Sequence, residues 1–274
     1  MTDAPARPHW LPLLVVGVIG GVLSGAFGVG GGIVMVPLLI WLTGMDQRTA
    51  SATSLAAILP SVVVGSIGYL LRGQVDLGAA IALAVGAVPG ALIGTWLLRR
   101  INIGLLRWLF IALMVVIAVR MVLIPVERGE RIEETWWVLA LLFVVGVVTG
   151  IASGLFGVGG GVIMVPVLVV GFGVGDLVAK GTSLVAMIAS SAVGTTSNLR
   201  ARAVDLRSAL FVGIAATLCS YLGVLLAFVM TPQVSSILFA ALLLLSAGQL
   251  SVRTIRRGRA DRRARAADAA AEPA

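Results

Sequence analysis

Polar residues are sparse along this chain, and they gather in short clusters that separate long apolar runs. On a window of about 19 residues the runs lie near 11–43, 50–71, 77–98, 104–124, 135–172, 180–199, 206–229 and 234–252. Each can cross a hydrocarbon layer about 30 Å thick at about 1.5 Å per helical residue, and the first and fifth are oversized. The roughly ten-residue apolar/polar alternation of a membrane barrel is absent. Unpaired backbone groups are intolerable in lipid, so helices are the only spanning element left. The pattern predicts an all-α polytopic integral membrane protein with about eight transmembrane helices.

The chain repeats itself. At an offset of 129, Gly17–Gly94 aligns with Gly146–Gly223 without a gap, and about 30 positions are identical. FGVGGGIVMVP at Phe27–Pro37 returns as FGVGGGVIMVP at Phe156–Pro166, ATSLAAI at Ala52–Ile58 as GTSLVAM at Gly181–Met187, and Val75-Asp76-Leu77 as Val204-Asp205-Leu206. The organisation expected is an amino-terminal segment 1–10, a first four-helix repeat 11–124, a charged linker 125–134, a second repeat 135–252 and a basic tail 253–274. The apolar start resembles a leader peptide, but its recurrence inside the chain marks it as structure.

Two halves with matching interrupted segments are the design of secondary transporters, with substrate near the midplane between repeats. If segments 1 and 5 cross, the repeats are parallel; if they are re-entrant hairpins, the repeats are inverted. Charge does not separate the two. Either path places 15 basic residues on the side of both termini and five on the other, so both termini are expected in the cytoplasm. Trp10 and Trp41 flank a stretch of about 46 Å as helix, which favours a broken but crossing segment.

Glycine costs about 1 kcal/mol against alanine in a helix interior, so Gly28, Gly30, Gly31 and Gly32 together disfavour helix by roughly 4 kcal/mol. Gly157, Gly159, Gly160 and Gly161 do the same in the second half. Opened backbone at membrane depth is tolerated only in protein or beside a wet cavity. Half-helices restarting near Ile33 and Val162 would aim N–H groups and a positive dipole end at an anion. By contrast, Gly17, Gly21 and Gly25, and Gly86, Gly90 and Gly94, are spaced for close helix packing. A dinucleotide fingerprint fails, since position 33 is Ile33 and no strand precedes it.

Thr53, Ser54, Thr182 and Ser183 open the spans after the glycine stretches, where hydroxyls can donate to an oxyanion or cap their helices. Ser24 and Ser153 match in the same way. Lys180, the single lysine, either draws an anion to one mouth or snorkels at a helix end, and Asn198 shares that ambiguity. Asp46, Asp76, Asp176 and Asp205 fall at segment edges, so no mid-span carboxylate suggests a proton relay. No metal-ligand set, and no nucleophile beside a base, points to an enzyme or a cofactor. The one cysteine, Cys219, lies in an apolar span and cannot form an internal disulfide.

The net charge of +8 comes mostly from the tail RTIRRGRADRRAR, directly after a span. That is a positive-inside anchor against anionic lipid, and without interleaved aromatics it is no nucleic-acid arm. One lysine against 19 arginines, with much alanine, suggests a GC-rich bacterial source.

The doubled GxFGVGGGxxMVPxL, each copy followed by TSL and a VD element, resembles the TauE/SafE sulfite exporter family over residues 11–252. The resemblance implies a bacterial inner-membrane permease for small inorganic or organosulfur anions such as sulfite, sulfoacetate or other organosulfonates, usually moved outward. The partners are then that anion and the lipid bilayer; homo-oligomerisation is left open, and a passive anion channel is the alternative. Gly28, Gly30–Gly32, Thr53, Ser54, Gly157, Gly159–Gly161, Lys180, Thr182, Ser183 and Asn198 form the substrate-binding set expected across a central cavity. SATS in the first copy stands against KGTS in the second, so the half-sites differ.

Overall fold

The computed structural model describes residues 10–100 and 135–271 and, between them, positions 108, 111, 112, 114–116, 118 and 119; past residue 252 it describes side chains only at 254 and 255. Residues 1–9, most of the span expected at 104–124, the linker and the arginine side chains of the tail lie outside the described residues. Among the described residues all regular structure is helical: α1 (Trp10–Phe27), α2 (Gly32–Thr43), α3 (Gln47–Leu70), α4 (Leu77–Arg100), α5 (Trp136–Phe156), α6 (Gly161–Pro166) with a π turn (Val167–Gly171), α7 (Asp176–Arg200), α8 (Leu206–Val229) and α9 (Pro232–Ala271). Seven are long and apolar enough to cross a membrane, namely α1, α3, α4, α5, α7, α8 and the Pro232–Val252 part of α9.

Local chemistry explains the helix starts. Asp46 accepts from the N–H groups of Arg48 (2.8 Å) and Thr49 (3.1 Å) to cap α3. Asp205 caps α8 through Arg207 N–H at 3.1 Å, and Asp76 takes Ala79 N–H at 3.0 Å ahead of α4. Three of the four edge aspartates thus satisfy orphan donors of a first helical turn. Burial alone would raise Asp46, but hydrogen bonds from Thr49 and Arg48 hold its carboxyl below the usual range.

The glycines spaced four apart do what their spacing predicts. Gly17, Gly21 and Gly25 lie against the backbone of Val212, Ala216 and Ser220, so α1 and α8 run parallel in close contact. Gly86, Gly90 and Gly94 of α4 lie against Phe143, Val147 and Ile151 of α5, while Gly146, Gly150 and Gly154 of α5 answer Leu83, Ala87 and Ala91. Absent side chains let the backbones approach, and dispersion does the rest in a solvent as apolar as leucine.

Helix directions follow from these registers. α3 also runs parallel to α8, with Ala57 beside Gly213, Ser61 beside Ser220 and Gly68 beside Val224. α7 is antiparallel to α3, since Leu55 meets Gly194, Gly65 meets Leu184 and Tyr69 meets Gly181. The carboxyl ends of α4 and α7 come together, where the Thr95 and Ser197 hydroxyls are 2.9 Å apart. One end of the bundle, the basic end, therefore holds the starts of α3 and α8 and the finishes of α4 and α7. Arg99, Arg100, Arg200, Arg202 and Arg207 sit there; Arg72 and Lys180 lie toward the far end.

Because α1 and α3 both run parallel to α8, the intervening α2 must run back. A continuous helix would carry Gly31 about 16 Å beyond Gly20, yet Gly31 packs on the Gly20 backbone and Met35 covers Gly20. Gly160 folds against Thr149 in the same manner, 3.0 Å from its carbonyl oxygen to the position a Cβ would take. The through-going path expected for segments 1 and 5 is therefore corrected to two hairpins, α1–α2 and α5–α6. The cause is local: Gly28, Gly30 and Gly31 have φ of +69°, +76° and +73°, and Gly157, Gly159 and Gly160 have +69°, +85° and +94°. Runs of left-handed residues reverse a chain, and only glycine adopts them without a Cβ penalty.

Gly90→Leu or Gly150→Leu should drive a side chain into the facing carbonyl and cost about 3 kcal/mol, whereas Gly248→Ala, with open space around it, should be neutral or slightly stabilising. Heating the detergent-solubilised protein and measuring the monodisperse fraction distinguishes the two; equal melting for all three would refute the packing account.

Candidate functional site

The tips of the two hairpins cross. A Cβ on Gly32 would lie 2.5 Å from the Gly157 carbonyl oxygen and 2.7 Å from Val158 Cα, and one on Gly161 would lie 2.5 Å and 2.7 Å from the matching atoms of Gly28 and Val29. Gly30 and Gly159 both touch Met187 Cε, with Ile58 Cγ2 on the same spot. Met187 and Ile58 are themselves 129 apart, so each half contributes one plug to the crossing. The glycine stretches thus meet in direct contact rather than across an open central cavity.

The crossing gathers the amino ends of α2 and α6. Gly31 and Gly160 precede them with no side-chain cap, and the first intrahelical bonds reach back to their carbonyls from Val34, Met35, Ile163 and Met164. The earlier N–H groups of each half-helix have no intrahelical acceptor. Two positive dipole ends consequently share one small volume with neutral walls.

All four hydroxyls of the TSL copies are engaged between the halves. Ser54 Oγ donates to the Gly157 carbonyl at 3.0 Å, and Ser183 Oγ to the Gly28 carbonyl at 2.6 Å. Thr53 Oγ1 accepts from Asp205 N–H at 3.0 Å, and Thr182 Oγ1 from Asp76 N–H at 2.9 Å. They lie well inside α3 and α7, so helix capping is excluded. The serines hold the hairpin tips, and the threonines hold the chain ahead of α8 and α4.

Lys180 neither snorkels nor lines a mouth. It is 3% exposed, and its Nζ donates to Asp176 Oδ2 at 2.8 Å and to Ser235 Oγ at 2.6 Å. Gly28 packs on its backbone, and the Phe27 ring stacks on Phe239 of α9 with centroids 5.5 Å apart. The group surrounds a cavity of about 10 Å³ also lined by Val165 and Val169, room for about one water. The equivalent residues in the first half are Ser51 and Gln47, so this buried charge pair belongs to the second half only. The sequence flagged Lys180 but missed Asp176 as its partner, although the i, i+4 spacing was a legible signal. Nothing marked Met187 or Ile58 apart from their common offset.

Asn198 is 2% exposed and its Nδ2 has no hydrogen-bond partner among the described residues; the same holds for the hydroxyls of Ser24, Ser51, Ser153, Ser191 and Thr195. Two larger clefts lie outside the crossing. One, of about 500 Å³, runs between α4 and α7 beside Arg99, Ser197 and Arg200; the other, of about 510 Å³, is an apolar groove between α3, α7 and α8. Among the described residues no three His, Cys, Asp or Glu side chains gather as a metal set.

The family described as sulfite exporter TauE/SafE matches residues 2–121 and 142–272. The chain belongs to the sulfite exporter TauE/SafE family. Among curated relatives it is 28% identical over 210 residues to the probable membrane transporter protein YunE of Bacillus subtilis, covering 68% of this chain and 77% of that one. A probable membrane transporter protein of Xylella fastidiosa strain 9a5c is 30% identical over 197 residues, 69% of this chain and 73% of the relative. The sulfite exporter TauE/SafE family protein 1 of Arabidopsis thaliana is 32% identical over 100 residues, 36% and 22% of the two chains. No solved structure matches. Membership of the TauE/SafE family and seven apolar helices of spanning length make this a multi-pass protein of a membrane transporter family.

Lys180→Met or Asp176→Asn should each destabilise the fold by about 3–5 kcal/mol, because the partner's charge stays buried alone, and the double change should recover most of that loss. Thermal melting of the three variants in detergent tests this. Additive losses in the double variant would contradict the pairing.

Proposed function

We propose that the chain is a secondary transporter that moves small sulfur-containing oxyanions, sulfite or organosulfonates, outward across a bacterial inner membrane by alternating access. The observation that carries this reading is the convergence of two half-helix amino ends at one crossing. Backbone N–H groups with aligned dipoles bind a compact anion without a fixed counter-charge, so the anion can also leave. The antiparallel directions of α3 and α7, together with the two hairpins, support inverted repeats related by an axis in the membrane plane. The crossing would then lie near midplane and each hairpin would be re-entrant. Positive-inside bias supports a cytoplasmic basic end, with both termini on that side.

In the present conformation Met187 and Ile58 fill the crossing, which makes it the closed arrangement. Opening requires the plugs to rotate away, after which Gly30–Gly32 and Gly159–Gly161 offer their N–H groups. Ser54 and Ser183 exchange carbonyl acceptors for the oxygens of the anion, and Thr53 and Thr182 keep α8 and α4 registered while one body rocks on the other. A sulfite or sulfonate head suits this site because its charge is spread over three acceptor oxygens, which match several weak donors better than one strong cation.

Reconstituted protein should show saturable counterflow of labelled sulfite, inhibited by one sulfur anion more than by sulfate or chloride. Gly30→Leu or Gly159→Leu should abolish it while the protein still inserts and elutes as one species. Full flux in both variants would remove the crossing as the site, and ionic current far above carrier turnover would assign a passive anion channel.

A further inference from the structure

The two halves of the molecule treat equivalent positions unequally on either side of the crossing. On α7, Met187 is followed toward the basic end by Ser191, Thr195 and Asn198, at intervals of four, four and three residues, so all four share one helix face. Ser191, Thr195 and Asn198 are 0%, 8% and 2% exposed, and each has a buried polar atom without a partner among the described residues.

The mates 129 residues earlier, on α3 toward the far end, are Val62, Ser66 and Tyr69. There Val62 is apolar, Ser66 Oγ donates to the Val63 carbonyl at 2.8 Å, and Tyr69 OH donates to the Gly25 carbonyl of the first hairpin at 2.8 Å. Tyr69 also packs beside Phe228, and Arg72 lies over the Phe228 ring at 4.9 Å. Among the described residues, the hydroxyls of Ser66 and Tyr69 on that side both have partners.

Most hydroxyls in these helices are paired, although Ser24, Ser51 and Ser153 on α1, α3 and α5 share the unpaired state among the described residues. Ser61, Ser66, Thr95, Thr149, Ser190 and Thr196 each bond back to a carbonyl of their own helix three or four residues earlier. Ser191 and Thr195 sit among them and do not. A helical hydroxyl has such a carbonyl within reach, so its failure to use one leaves a donor unmet among the described residues. Partnerless buried donors in line with the anion site call for a polar visitor.

We propose that Ser191, Thr195 and Asn198 line the approach from the basic end to the glycine crossing, and that they hold the oxygens of a partly hydrated oxyanion before it reaches Gly30 and Gly159. Tyr69 closes the equivalent approach on the far side. For the identity of its cargo this inference rests on the transporter reading; the approach itself does not. Neutral donors in series suit an anion in transit, since none holds it by a full charge. The difference between Asn198 and Tyr69 also gives the two faces unequal gates, so the basic end is the loading side of the closed state.

Cysteine accessibility tests the approach without reference to cargo. In a Cys219→Ala background, Ser191→Cys, Thr195→Cys and Asn198→Cys in oriented vesicles should react with a membrane-impermeant sulfonated maleimide added from the basic face only, with rates falling from 198 to 191. Val62→Cys and Ser66→Cys should stay unlabelled from both faces. Unlabelled α7 positions, or equal labelling of the α3 mates, would overturn the proposal even if counterflow is normal. In the flux assay Asn198→Leu should slow sulfite counterflow about tenfold in protein that melts like the parent; an unchanged rate would remove Asn198 from the route, and absent counterflow in the parent would count against the cargo alone.

Discussion

The structure depends on one constraint, that a backbone opened inside a membrane must find its partners within the protein. Each glycine stretch frees amides and carbonyls that hydrocarbon cannot satisfy. The molecule answers by laying each opened stretch on the other, with Gly32 over Val158 and Gly161 over Val29. Ser54 and Ser183 then take the two carbonyls left at the tips. The crossing is therefore first a packing solution, and the amides freed by each glycine stretch are what draw the two hairpins together.

Close backbone contact recurs around this centre. The parallel pairs α1 with α8 and α4 with α5 are glycine-lined on facing surfaces, and each pair joins one hairpin to a span of the opposite half. Flanks of this kind hold the tightly packed crossing in place. Asymmetry of polar and charged groups near the crossing includes Lys180 and Asp176 against Ser51 and Gln47, Ser191 against Val62, and Asn198 against Tyr69.

Much of this was legible in the sequence, for identifiable reasons. Apolar runs gave the helices because bilayer thickness sets their length, and the four-residue glycine spacing gave the tight pairs because a helix repeats on that interval. The offset of 129 aligned residues that form equivalent contacts. The path of the chain was not legible. Trp10 and Trp41 stand a membrane's width apart as helix, and nothing in composition reveals that three left-handed glycines, Gly28, Gly30 and Gly31, turn the chain between them. Arginine counting failed as well, because reversing both halves exchanges equal charges. Thr53 and Thr182 were legible as matched hydroxyls, but their partners, Asp205 and Asp76, come from the other half and no local pattern announces them.

The parallel pairing of α1 with α8, and of α5 with α4, has a consequence for the history of the fold. Each hairpin's small-residue face finds its complement only in the other copy, so a single repeat would leave a bare backbone ridge in lipid. If the repeats are inverted as proposed, a gene encoding one such unit could have made this molecule only as two intertwined chains inserted in opposite orientations, and fusion then let each copy diverge on its own.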